Sequence, residues 1–133
     1  MKKNSVPEKA IDSQEEFCRI YNLKKEGWER FIPCNLSIRK EYLEKIGGFE
    51  QDSPFWGFED VDLGYRLSKK KLKLIWDNKI KVYHINHSKQ TINELTELSV
   101  FWINLNILFR KYLDERIYYT YSNVIFNKLD KLI

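Results

Sequence analysis

A mixed α/β fold is predicted by two features of the sequence. Short apolar–polar alternations at Trp28 to Ile38, Leu72 to Trp76 and Ile80 to Ile85 read as strands. Around and after them, apolar residues recur at three- and four-residue steps, the period of a helix. At 133 residues the chain fits one domain that can bury a core.

Residues Met1 to Ile11 read as a tail. Ser13 and Glu16 then stand at capping-box spacing before Phe17, Ile20 and Tyr21, with Gly27 placed to stop a short helix. In the Trp28 to Ile38 strand, Pro33 restricts the segment to an edge or an irregular strand. Arg39 to Ile46 carries Tyr42, Leu43 and Ile46 at helical spacing and ends in Gly47-Gly48, a pair suited to a left-handed C-terminal cap. After a loop at 49–57, Phe58 to Lys70 reads as a helix, acidic in its first turn and basic in its last, which complements the helix dipole. Asp77-Asn78 is a turn pair between the later strands. Thr91 and Glu94 form a second capping box ahead of a stripe through Leu95, Leu98, Trp102, Leu105, Phe109 and Tyr112. A further stripe, from Ile117 through Tyr121, Val124, Ile125 and Leu129 to Leu132, predicts a second C-terminal helix packing on the first or on another chain. The organisation that follows is a tail and short helix at 1–27, a central module at 28–90 and a helical extension at 91–133.

The composition, 43% hydrophobic and 32% charged, is that of a globular protein, and the aromatic share of 15% is high. The net charge is +4, and Lys69, Lys70, Lys71 and Lys73 are bunched. Without a nucleic-acid-binding motif beside it, that run is the solvated end of a helix, and no nucleic-acid partner is expected. Cys18 and Cys34 have neither redox nor zinc spacing. The N-terminus lacks the apolar stretch of a signal peptide, and the run from Leu98 to Phe109 is too short to span a bilayer. A reduced chain follows, not transmembrane, either free in the cytoplasm or peripheral to the inner face of the membrane.

The chemistry concentrates in two places. Phe55-Trp56-Gly57-Phe58-Glu59-Asp60-Val61-Asp62 delivers three carboxylates to the start of a helix. Successive helical residues point about 100° apart, so Glu59 and Asp62 share a face while Asp60 points elsewhere. Adjacent residues at one helix end flank a glycosidic bond poorly, which disfavours hydrolysis. One carboxylate taking a proton from a hydroxyl while its neighbour binds the same sugar is easier. Capping of the helix suffices to account for Asp62, and on spacing alone it competes evenly with a chemical role for Glu59 and Asp60. The second place is Val82-Tyr83-His84-Ile85-Asn86-His87-Ser88, with the only two histidines of the chain. Two imidazoles three residues apart can converge on Mn²⁺ or Zn²⁺, and a hydrogen-bonded structural pair is the competing reading.

These motifs, in order with Cys34-Asn35-Leu36-Ser37-Ile38-Arg39 and Ile46-Gly47-Gly48-Phe49, resemble the C-terminal, acceptor-side half of GT-A glycosyltransferases. The likeness is to the galactosyltransferase C-terminal module and the related family 2-like bacterial polysaccharide enzymes, over roughly residues 30 to 110. The resemblance implies a partial GT-A fold with Asp60 as general base of an inverting transfer. It makes Trp56, Gly57, Phe58, Glu59 and Asn35 acceptor-binding, and His87, with His84, ligands of a catalytic metal such as Mn²⁺. Many relatives have a second glycine where this chain has Phe58, so a bulky ring is expected to reshape the acceptor pocket. The family's nucleotide-binding half, with its Asp-x-Asp, has no counterpart before Trp28.

The expected function is that of an inverting, metal-dependent glycosyltransferase, or its acceptor-side half. It would take a glycan acceptor, and a uridine-diphosphate sugar only when a donor-binding half is supplied. Alone, the chain is expected to hold Mn²⁺ weakly and not to transfer sugar. The alternatives are a non-catalytic module that binds a glycan or another transferase subunit, and a degenerate product whose exposed helices self-associate. A homo-oligomer or a complementary glycosyltransferase subunit is the partner these readings call for.

Overall fold

The computed structural model describes residues 27–31, 35–50, 57–75, 77, 79–80 and 93–130. Four helices order these residues: α1 (Lys40–Lys45), α2 (Glu59–Lys69), α3 (Glu94–Tyr112) and α4 (Glu115–Leu129). A 3-10 turn at Trp28–Arg30 precedes them. The expected short N-terminal helix, the Ile80 to Ile85 strand beyond its first residue, Trp56, and both histidines lie outside the described residues.

The helices form where local signals place them. α1 ends with Gly48 N–H on the Leu43 carbonyl (3.0 Å) and Gly47 N–H on that of Glu44 (3.1 Å). Both glycines take positive φ, 81° and 73°, completing the left-handed cap that Gly47-Gly48 predicts. α3 is capped by Asn93, whose side chain accepts from Leu95 N–H at 2.9 Å, two residues later than the predicted Thr91. α4 is capped by Asp114, which accepts from Arg116 N–H at 3.1 Å. Only Leu113 and Asp114 join α3 to α4, so the two helices run antiparallel, with Phe109 and Trp102 against Tyr118.

The α/β expectation is not met among the described residues, which contain no strand. Trp28 and Phe31 are both buried against α2. Residues three apart reach one surface from a turn, whereas a strand would send them to opposite faces. The Leu72 to Trp76 candidate keeps the predicted alternation, Leu72 and Leu74 half-buried and Lys73 and Ile75 exposed, without a ladder partner among the described residues.

α2 is buried on two sides. Phe58, Val61 and Tyr65 join Trp28 and the inner faces of α3 and α4, including Leu105, Ile117 and Tyr121, in the main core. Leu63 and Leu67 join Phe31, α1 and the Leu72–Leu74 segment in a second cluster. The helical extension thus shares its core with the central module. Gly64 permits this packing, since a Cβ there would stand 2.4 Å from the Phe31 Cβ and 2.9 Å from the Trp28 carbonyl oxygen. Apolar side chains also remain exposed on the hairpin, among them Leu95, Ile103 and Phe126. No helix among the described residues is long and apolar enough to cross a membrane.

Candidate functional site

The entry to α2 is set by two left-handed residues in succession. Gly57 has φ 107° and Phe58 has φ 72°, a region that a residue with a Cβ adopts at a cost of about 1–3 kcal/mol. Phe58 is held there by burial, its ring edge-on to Phe101 at 4.5 Å and to Tyr121 at 5.1 Å. Asn104 of α3 fixes the preceding peptide by donating from Nδ2 to the Gly57 carbonyl at 3.1 Å.

From this turn the three carboxylates diverge into three environments. Asp62 is buried, 3% exposed. It accepts from Arg66 Nε at 2.7 Å, Lys111 Nζ at 3.0 Å and the Tyr112 hydroxyl at 2.6 Å. Arg66 carries the network onward to the end of α1, donating to the carbonyls of Ile46 at 2.6 Å and Gly48 at 2.7 Å. Lys111 also pairs with Glu50. Asp62, itself buried, therefore neutralises the half-buried Arg66 and the more exposed Lys111 and organises three helices, a larger structural task than the capping its position predicts. The Tyr112 hydroxyl is pushed up to about 12, first by burial and then by Asp62. Lys111 is partly desolvated, but the two carboxylates outweigh this and raise its pKa above the usual lysine range.

Asp60 differs. It is partly buried, has no ion pair among the described residues, and accepts from Val61 N–H at 2.7 Å. Burial, helped by the adjacent Glu59 charge and opposed by the Val61 N–H, pushes its carboxyl up to about 6. Glu59 also has no ion pair among the described residues and borders a cleft of about 150 Å³. The cleft is lined by Glu50, Gly57, Phe58, Glu59 and Asp62 on one side and by Asn104, Ile107, Leu108 and Lys111 of α3 on the other. Glu59 and Asp62 share this face as helix geometry requires, and Asp60 is not among the described lining residues. Asn35 is exposed and likewise does not line the cleft.

The sequence reading missed Asn104, Lys111, Tyr112 and Arg66. The first three lie 47 to 50 residues from the groups they hold, beyond any motif. The Asp62–Arg66 pair, at i and i+4 on one helix, was the available signal. Among the described residues no group of three or more His, Cys, Asp or Glu could hold a metal ion.

Comparison with known proteins places this turn in context. The model of a family described as the N-terminal domain of galactosyltransferase matches residues 17–90. The chain belongs to this galactosyltransferase family. Membership agrees with the resemblance carried by the Gly57–Asp62 turn; the description names an N-terminal domain, where the motifs had suggested a C-terminal half. The chain is similar to a chondroitin synthase of Pasteurella multocida, 45% identical over 42 residues that make up 31% of this chain and 4% of that protein. It is similar to a validoxylamine A glucosyltransferase of Streptomyces hygroscopicus subsp. jinggangensis, 42% identical over 40 residues, 30% of this chain and 10% of that one. An uncharacterized glycosyltransferase of Bacillus subtilis, YfnE, is 29% identical over 82 residues, 62% of this chain and 20% of its own. The chain thus spans a fifth or less of the length of these curated relatives. No solved structure matches it. The family segment ends at residue 90, before α3 and α4 begin.

Proposed function

We propose that this chain is the acceptor-side, catalytic-base half of an inverting GT-A glycosyltransferase, with Asp60 as the base. The observation that carries the reading is the division of labour among the carboxylates. The buried Asp62 is tied up in ion pairs with Arg66 and Lys111, while Asp60 stands two residues away with no ion pair among the described residues and a proton affinity near neutrality. A base is most effective when its pKa lies close to the working pH, and a carboxyl near 6 meets that condition where an ordinary one does not.

In the reaction, Asp60 takes the proton of an acceptor hydroxyl as the oxygen attacks the anomeric carbon of a nucleotide sugar. The bond to the diphosphate breaks on the opposite side and the configuration inverts. Glu59, on the cleft side of the same turn, binds the acceptor's other hydroxyls, and the left-handed Gly57-Phe58 entry keeps both carboxylates at the helix start. Trp56 and Asn35 belong to the acceptor site in this reading. His84 and His87 supply nitrogen donors suited to Mn²⁺ but only part of a ligand set, so they fit the ion only with oxygens from elsewhere. Bound there, the cation would stabilise the departing diphosphate. The donor sugar would come from a uridine-diphosphate sugar held by a separate nucleotide-binding half, in the cytoplasm or at the inner face of the membrane.

The test is transfer by the chain fused to a related donor half, with Mn²⁺, a panel of uridine-diphosphate sugars and glycan acceptors. Turnover is expected in the fusion, and Asp60→Asn is expected to reduce it about a hundred- to ten-thousand-fold. Full turnover by the Asp60→Asn fusion would overturn the assignment. A second reading, a non-catalytic module that binds a glycan or pairs with another subunit, is favoured by the apolar residues left exposed on α3 and α4. Glycan binding without turnover in any fusion would select it.

A further inference from the structure

We propose that Asn104 and Lys111, on one face of α3, are positioning residues that hold the Gly57–Asp62 turn in register with the acceptor cleft. This inference rests on the functional reading above, and it concerns residues beyond the segment that the family model matches.

Asn104, Ile107, Leu108 and Lys111 recur at helical spacing, so a single face of α3 runs along the cleft. At one end Asn104 grips the Gly57 carbonyl, the peptide that leads into the left-handed Phe58. At the other end the Lys111 ammonium joins two carboxylates from separate segments of the facing wall, Glu50 and Asp62. Glu50 follows the Gly-Gly cap of α1, and Arg66 ties that same cap to Asp62. Lys111 thus closes a circuit through α1, α2 and α3 that encloses the cleft bordered by Glu59. The turn it braces holds Phe58, a residue with a Cβ, at positive φ. Such a conformation persists only where surrounding contacts determine it, and α3 supplies those contacts from both ends. Neither side chain needs to touch the reacting atoms, so their effect is on where Glu59 and Asp60 stand.

The experiment uses the full chain with Lys111→Met, Lys111→Arg and Asn104→Ala, and reads amide hydrogen exchange together with the carboxyl titration of Asp60 by NMR. Lys111→Met and Asn104→Ala are expected to speed exchange at 57–62 about tenfold while the centre of α4 keeps its protection. The Asp60 midpoint is expected to fall by about one pH unit toward the ordinary carboxylate range, because a loosened turn lets water in. Lys111→Arg keeps the charge and is expected to restore much of both signals. A purely structural role would instead speed exchange throughout the chain and leave the Asp60 midpoint in place, and that result would overturn the proposal. Unchanged exchange at 57–62 would do the same. Should Lys111→Met fail to fold, Glu50→Gln, which weakens only the partly exposed end of the circuit, is read in the same way. These readouts need no sugar transfer, so a fusion that never turns over would sink the functional reading without moving them.

Discussion

Replacing Asp60 by Asn should make the protein more stable while removing its proposed chemistry. The carboxyl is pushed up to about 6 chiefly by burial, so the folded state binds its proton more tightly than the unfolded chain does. Below about pH 4 both states are protonated and the group costs nothing. As pH rises from there through 6 the folded state must carry a desolvated charge, and above 6 the full penalty is in force. The shift corresponds to at most about 3 kcal/mol, and solvent reaching a partly buried group reduces that to roughly 1–2 kcal/mol. Asn keeps the shape and can still accept from Val61 N–H, so little is lost in exchange. Thermal unfolding of both proteins from pH 4 to pH 8 reads the difference directly. The variant should melt higher at pH 8, by roughly 3 °C for each kcal/mol in a chain of this size, and the gap should close by pH 4. Equal melting temperatures at pH 8, or a gap that persists at pH 4, would refute the account of Asp60 as a carboxylate held at a cost for its chemistry.

Phe58→Gly should relieve about 1 kcal/mol of left-handed strain but forfeit the buried ring, for about 3–5 kcal/mol; a net loss of about 2–4 kcal/mol is expected in urea unfolding, and a stabilised variant would refute the packing against Phe101 and Tyr121. Gly64→Ala gains about 1 kcal/mol of helix propensity and meets Phe31 and the Trp28 carbonyl, an overlap whose cost of about 1–3 kcal/mol or more should win. Calorimetry would record a lower melting temperature, and a rise would mean that the Trp28–Phe31 turn does not lie on α2. Asp114 is held well below the usual carboxylate range, first by Arg116, with the Tyr65 hydroxyl adding to it. Its stabilisation is present above about pH 4 and lost as pH falls, so Asp114→Ala should cost about 1–2 kcal/mol at neutral pH, with the deficit shrinking in acid; a deficit independent of pH would contradict the ion pair.

The parts of this molecule legible in the sequence are those whose causes lie within a few residues. Gly47-Gly48 announces its left-handed cap because only glycine takes those φ values freely, and the stripes through Leu98 and Leu105 and through Ile117 and Tyr121 announce two helices. Helix geometry likewise separates Glu59 and Asp62 from Asp60 in the sequence, and the Gly57–Asp62 motif carries the family resemblance. The tertiary structure decided what depends on contacts between distant residues. Trp28 and Phe31 turn inward together because Gly64 leaves room beside α2, a condition no alternation pattern contains. Phe58 can occupy a left-handed position because Phe101 and Tyr121 bury its ring. Asp62 and Asp60 are chemically identical side chains two positions apart, and what distinguishes them is Lys111 and Tyr112, some 50 residues along the chain. Backbone periodicity is a local property of the chain, whereas the environment that sets a carboxylate's charge is created only when separate helices pack and exclude water from some groups and not others.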